Sequence, residues 1–166
     1  MSIERIINSL AEILEEEFKV YSGLLEIAKK KKQIIVDGKV KELEQLVKVE
    51  QTCIIHAGKL ERQREDIVAE LCKEMGIDCN DATISGISNK IGREYSEKLE
   101  KGRQNLIKTI ESLKTENALN ARLIKNSLDY IDFSLNLMAS LGSDGSYLKS
   151  GEVNEPGKRN ILDLKL

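Results

Sequence analysis

Three long stretches of the chain repeat an apolar residue every three or four positions, and no proline interrupts them. The single proline of the 166 residues is Pro156, close to the C-terminus. Because an interior proline breaks a helix, every segment before it is free to be helical. Apolar residues at this spacing predict amphipathic helices. We therefore expect an all-α protein, an elongated antiparallel coiled-coil bundle, since helices of this length do not pack into a compact globule.

The first two predicted helices are separated by a turn signal. One helix is predicted over Ile3–Val36, and Asp37-Gly38 then marks a reversal or a sharp kink, with Asp37 able to cap the helix that follows. The second helix is predicted over Val40–Met75, and Gly76 is well placed to end it.

A short helix is predicted next over residues 82–91, and a third long helix runs from beyond Gly92 to Leu141. After Leu141 the chain becomes rich in Gly, Ser and polar residues, which is typical of a flexible tail. The tail closes with the apolar segment ILDLKL, which is too short to fold alone. We therefore expect a helical domain over 1–141 and a flexible tail over 142–166.

The end of the third helix carries two apolar stripes at about 100° per residue. Stripe 1 is continued upstream by Leu99, Leu106, Ile110 and Leu113 and is the expected core face. Its members are Ile124, Leu128, Ile131, Leu135 and Met138. Stripe 2 lies on roughly the opposite side and begins only at Leu119. Its members are Leu119, Leu123, Tyr130, Phe133, Leu137 and Leu141.

A helix that is apolar on two sides has to be buried on both. Stripe 2 is covered either within the chain, by the start of the first helix or by ILDLKL, or by another protein. Asn117 and Asn120 fall on the core side of the same helix, where buried asparagines fix register or partner choice.

Composition argues against several classes of function. The net charge of -2 gives no basic surface for nucleic acid, and aromatic residues at 4% offer little for stacking or a large cofactor. No apolar run is long enough to cross a membrane, and the N-terminus has no secretory signal. Three cysteines in such a chain favour reduced thiols in the cytoplasm.

Few residues could carry chemistry. Cys53 and His56 share a helical face, but two ligands do not make a closed zinc site. The charge runs at 15–17 and 29–32 are typical of solvated coiled-coil faces, and no phosphate loop or nucleophile motif occurs. We expect neither catalysis, nor a metal, nor a cofactor. The string around His56 and Lys59 keeps one alternative open, a histidine phosphotransfer bundle using His56.

The order of several segments resembles the FlgN family of flagellar export chaperones, over nearly the whole chain. These segments are the long first helix, VKELEQLVKVEQ after Asp37-Gly38, and ERQREDIVAELCKEMGI. The most specific one is NSLDYIDFSLNLM at 126–138, followed by the Gly-rich GSDGSYLKSG and the closing ILDLKL.

The resemblance implies a cytoplasmic chaperone for hook-associated (hook–filament junction) proteins of the FlgK and FlgL type. Such a chaperone holds their helical termini and presents them to the flagellar type III export gate, with the export ATPase complex as a further partner. The family's C-terminal region binds substrate, which implies stripe 2 as the binding surface. The resemblance also implies that a tyrosine in the tail contacts the export gate, and in this chain that tyrosine is Tyr147.

A generic coiled-coil scaffold that self-associates through stripe 2 is the main alternative. An apolar stripe exposed to water tends to bind other apolar surfaces, so we also expect dimerisation or tail docking in the free protein.

Overall fold

The computed structural model describes residues 3–79, Ile87 and 91–144, and of residues 142–144 only the backbone. The regular elements of this part are three α-helices without a strand: α1 over Ile3–Val36, α2 over Val40–Met75 and α3 over Arg93–Asp144. The all-α prediction is confirmed. α1 and α2 have the predicted bounds, and α3 ends three residues beyond Leu141. Apart from Ile87 and Ile91, the predicted short helix lies outside the described residues.

The turn between α1 and α2 depends on Gly38, whose φ of 67° is in the left-handed region that glycine adopts without strain. The prediction that Asp37 caps α2 is wrong, because Lys39 occupies the cap position and no side chain caps this end. Asp37 lies two positions before this cap, on the other side of Gly38. Its carboxylate instead accepts a 2.8 Å hydrogen bond from Gln33 Nε2.

Gly76 ends α2 as predicted, with a φ of 65°. The backbone N–H of Ile77 donates to the carbonyl of Cys72 at 3.0 Å, and that of Gly76 donates to Lys73. These are the hydrogen bonds of a left-handed helix cap, and they satisfy carbonyls that the end of a helix would otherwise leave unpaired.

Two ion pairs fix α1 and α2 in one antiparallel register. Lys31 Nζ lies 2.7 Å from Glu50, and Arg64 Nε lies 3.0 Å from Glu17. From the first pair to the second, the position on α1 moves back by fourteen residues and the position on α2 moves forward by fourteen. This is the relation that an antiparallel hairpin requires. The prediction of a solvated face is wrong for Glu17, which is 2% exposed, and for Lys31, whose side chain is 14% exposed, because each finds its partner on α2.

α3 runs beside α1 in the parallel direction from Gly102 to Asn120. Lys32 pairs with Glu116, 84 residues later, and Asn120 Nδ2 donates to the carbonyl of Ala28, 92 residues earlier. A β-carbon added to Gly102 would lie 3.6 Å from Leu14 Cβ, a separation of 88 residues. The sequence separation between neighbouring residues of α1 and α3 stays near 88. The last residue of α1, Val36, therefore corresponds to a position near Ile124.

The apolar core lies where the start of α1, the end of α2 and the start of α3 come together. Leu99 of α3 is 1% exposed, and Leu106, Ile110 and Leu113 are half-buried, in keeping with the upstream part of the predicted core face. The buried core residues are Ile6, Ile7, Leu10, Ala11, Leu14, Leu71, Ile87, Ile91 and Leu99.

Asn120 is buried as expected, whereas Asn117 is exposed, so its predicted place in the core is wrong. The Asn120 amide donates to α1, and its Oδ1 has no hydrogen-bond partner in the described part of the chain. A buried amide held in this way favours one alignment of α3 on α1 at some loss of stability.

The contacts divide the chain into two units, Met1–Lys125 and Asn126–Leu166, the second of which is described only to Asp144. The first unit contains α1, α2 and the first part of α3. The described part of the second is helical throughout.

Candidate functional site

The described helix after residue 125 exposes every large apolar side chain that it carries. The eight side chains between residues 126 and 141 are from 48% to 71% exposed. They are Leu128, Tyr130, Ile131, Phe133, Leu135, Leu137, Met138 and Leu141. Isolated exposed apolar residues are normal, but so many on one helical segment mark an interaction surface.

Stripe 2, the predicted substrate-binding surface, is accessible over most of its length. Tyr130, Phe133, Leu137 and Leu141 are 71%, 65%, 48% and 65% exposed. Upstream, in the first unit, Leu119 is 38% exposed and Leu123 is half-buried. The structure therefore leaves the later members of stripe 2 available to a partner, and it covers the earlier members more.

Stripe 1 was expected to be the core face, and from Ile124 onward that prediction is wrong. Its five members are between 41% and 69% exposed. The reason lies in the register of the first unit, where the end of α1 corresponds to Ile124. Beyond that position α1 supplies no residue to cover the stripe. Helix length is the signal that could have shown this, because α3 has 52 residues and α1 has 34.

Two serine hydroxyls on this segment donate to carbonyls of the same helix. Ser134 Oγ donates to the carbonyl of Tyr130 at 2.8 Å, and Ser140 Oγ donates to that of Leu137 at 2.8 Å. A partner that covers these serines therefore leaves neither hydroxyl hydrogen without an acceptor. The surface is suited to apolar recognition of another helix rather than to polar recognition of a small molecule.

The described charges of the segment lie on one side of the helix. Lys125, Asp129 and Asp132, with Arg122 just upstream, fall within an arc of about 80° at 100° per residue. The two apolar stripes, with Ser127 and Ser134 between them, occupy the remaining arc. A helix bound to the apolar side would therefore meet charged residues only at its edge.

The described residues contain no group of three or more side chains able to hold a metal ion. His56 is exposed on α2, as the phosphotransfer alternative requires, and Cys53 is half-buried. A shallow open groove near His56 is lined by a single helix, through Ile55, Gly58, Lys59, Glu61, Arg62 and Glu65. A groove with one wall does not enclose a substrate.

Two cysteines meet where α2 ends. Cys72 is buried and Cys79, seven residues later, is exposed. Burial, and next the Cys79 contact, raise the pKa of the Cys72 thiol to about 11. A thiol held neutral in this way is a poor nucleophile, so Cys72 acts as a core residue.

None of the described helices has an apolar stretch of the length and hydrophobicity that crossing a membrane requires. Tyr147 and ILDLKL lie outside the described residues, so the predicted gate contact and the predicted tail remain predictions.

Two comparisons relate the chain to known proteins. The chain is 25% identical over 167 residues to the uncharacterized protein YvyG of Bacillus subtilis (strain 168), and the alignment covers 99% of both chains. No solved structure matches it. The family model described as "FlgN protein" matches residues 1–155, which include all three helices and Tyr147. The chain therefore belongs to the FlgN family of flagellar export chaperones.

Proposed function

We propose that this protein acts in the cytoplasm as the chaperone that binds the helical termini of hook-associated junction proteins and delivers them to the flagellar export gate. The observation that carries the proposal is the exposed apolar helix after residue 125. Stripe 2 is the proposed substrate-binding surface: Tyr130, Phe133, Leu137 and Leu141 lie on this helix, and Leu119 and Leu123 lie just upstream of it.

An amphipathic segment of a substrate would lie along stripe 2 as a helix in a groove. Each large apolar side chain that becomes fully buried contributes roughly 1.5–3 kcal/mol. Folding of a disordered terminus on binding offsets a large part of this gain. The complex is then firm enough to keep the terminus from aggregating, and weak enough for the substrate to be released.

Release at the gate is assigned to the tail. Residues 142–155 fall within the family match, and Tyr147 is the one tyrosine among them. We propose Tyr147 as the residue that contacts the export gate, by analogy with the family.

The proposal is tested by measuring the mass of the protein, alone and mixed with a junction protein of the same bacterium, by size-exclusion chromatography with light scattering. We expect a stable complex that is lost when Phe133 and Leu137 are both replaced by Asp. Both side chains are exposed, so helix content should not change. The matched control is Ile54→Asp with Ile55→Asp on α2, whose side chains are 55% and 62% exposed.

A complex that survives Phe133→Asp with Leu137→Asp would contradict the assignment of stripe 2, and so would loss of the complex in the α2 control. Tyr147→Ala should keep the junction protein bound and lose only the binding of the complex to the cytoplasmic part of the gate.

A further inference from the structure

The helix after residue 125 is apolar over too wide an arc for one partner helix. An amphipathic helix that packs on one surface needs an apolar stripe of roughly 100°. Here the two stripes, with the small Ser127 and Ser134 between them, together span about 220° of the circumference. The members on this helix are Leu128, Ile131, Leu135 and Met138 of stripe 1, and Tyr130, Phe133, Leu137 and Leu141 of stripe 2. Two partner surfaces are needed to cover them.

The two stripes are equally accessible on this helix. The four members of stripe 1 are between 50% and 69% exposed, and the four members of stripe 2 are between 48% and 71% exposed. Each set extends along about 15 Å of helix, so each accepts about three turns of a partner helix. A substrate bound to stripe 2 alone would leave the stripe 1 side chains in water, and the complex would still bind other apolar surfaces.

One carboxylate lies along the outer edge of each stripe. Between residues 126 and 141 the charged residues are Asp129 and Asp132, both acidic. Asp132 lies about 40° around the helix from Leu128 of stripe 1, and Asp129 lies about 40° from Phe133 of stripe 2. A partner helix with Lys or Arg beside its apolar stripe therefore complements either face of this segment.

We infer that one substrate molecule places two amphipathic helices on this segment at the same time, one along each stripe, with basic residues next to Asp129 and Asp132. The inference rests on the chaperone function proposed above and specifies the form in which the substrate is held. Once the first helix is bound, a second helix of the same molecule binds at an effective concentration in roughly the millimolar range. It is therefore favoured over a helix from another molecule.

The angle between the stripes sets how the two substrate helices are connected. The centres of the stripes lie about 130° apart around the helix. At the usual interhelical distance of about 8–10 Å, the axes of the two bound helices are then about 16 Å from each other, too far for direct packing. The chaperone helix lies between them. A connection of at least about five extended residues is needed to span this distance.

A stripe 1 variant, Leu128→Asp with Leu135→Asp, tests the inference beside the stripe 2 variant used above. It should bind a junction protein of the same bacterium at least about a hundredfold more weakly than the wild type, because two apolar contacts are lost. Leu128→Gln with Leu135→Gln keeps the helix propensity and should weaken binding in the same direction. The matched control is Asn136→Asp with Ala139→Asp, at exposed positions outside both stripes, which should change the affinity by less than about threefold. Light scattering should give a one-to-one complex.

Photocrosslinking tests the same point without removing an apolar contact. A photoreactive phenylalanine analogue in place of Ile131, or in place of Leu137, should capture the junction protein at two different segments of its sequence. Capture of one and the same segment from both positions overturns the inference.

The inference is also overturned if the stripe 1 variant binds like the wild type, or if the complex contains two copies of the chaperone, which would place the second copy on stripe 1. In these cases the proposed function still holds as long as Phe133→Asp with Leu137→Asp loses the complex. If that stripe 2 variant also binds like the wild type, the proposed binding surface itself is wrong.

Discussion

The two parts of α3 carry the same kind of apolar pattern and have opposite environments. Leu99 is 1% exposed, and Leu106 and Leu113 are half-buried, within the first unit. After residue 125 the side chains at equivalent spacing, such as Leu128 and Leu135, are 56% and 50% exposed. An apolar stripe shows that a helix can be covered. The register and length of its neighbours decide whether it is covered.

The two parts of the chain also have different roles: the first unit provides stability, and the helix after residue 125 provides a surface for binding. The first unit has ion pairs across helices and a buried core, and it needs no partner to bury them. The helix after residue 125 buries little within the described chain. A lone helix of this length is marginal in water, so covering it by a partner contributes to folding as well as to affinity.

The largest expected contrast is between two leucine truncations. Leu71→Ala removes a side chain that is 0% exposed in the core and should lower the free energy of unfolding by about 3 kcal/mol. Leu135→Ala should change it by less than about 0.5 kcal/mol, because the side chain is half exposed. Urea unfolding at low micromolar concentration, which disfavours self-association, measures both. Equal losses would show that residues after 125 are covered in the free protein.

A smaller effect is expected from the ion pair that ties α2 to α1. Arg64→Leu leaves the Glu17 carboxylate, 2% exposed, without its cation and should cost about 2 kcal/mol of stability. The control is Arg93→Leu, which removes an exposed i,i+4 pair with Glu97 and should cost less than about 0.5 kcal/mol.

The double variant Glu17→Leu with Arg64→Leu should be more stable than Arg64→Leu alone, because no charge is then left buried without a partner. A double variant no better than the single one would show that packing, and not charge, is lost when Arg64 is replaced.

The sequence was sufficient for the helices because their ends are marked locally. Gly38 and Gly76 occupy left-handed positions where the pattern predicts a turn and a stop. It was insufficient for Glu17, whose partner Arg64 is 47 residues away and cannot be read from the pattern of α1 alone. The sequence-based prediction for stripe 1 failed for a related reason. The pattern of a single helix identifies its apolar faces, whereas the burial of Ile124 and the residues after it depends on where α1 ends.

The smallest effect compares a glycine at a helix contact with one on an open face. Gly58→Ala meets no atom within 4 Å, so it should raise stability by about 0.8 kcal/mol through helix propensity alone. Gly102→Ala places a β-carbon 3.6 Å from Leu14 Cβ, an ordinary van der Waals distance, so it should gain at least as much. Gly102→Val adds two methyl groups at this contact and should lose that gain. Gly58→Val should be at least as stable as the wild type, because the helix propensity of valine lies between those of glycine and alanine. If valine is tolerated equally at both positions, α3 does not pack closely on α1 at Leu14, and the register that ends the coverage of α3 near Ile124 would have to be revised.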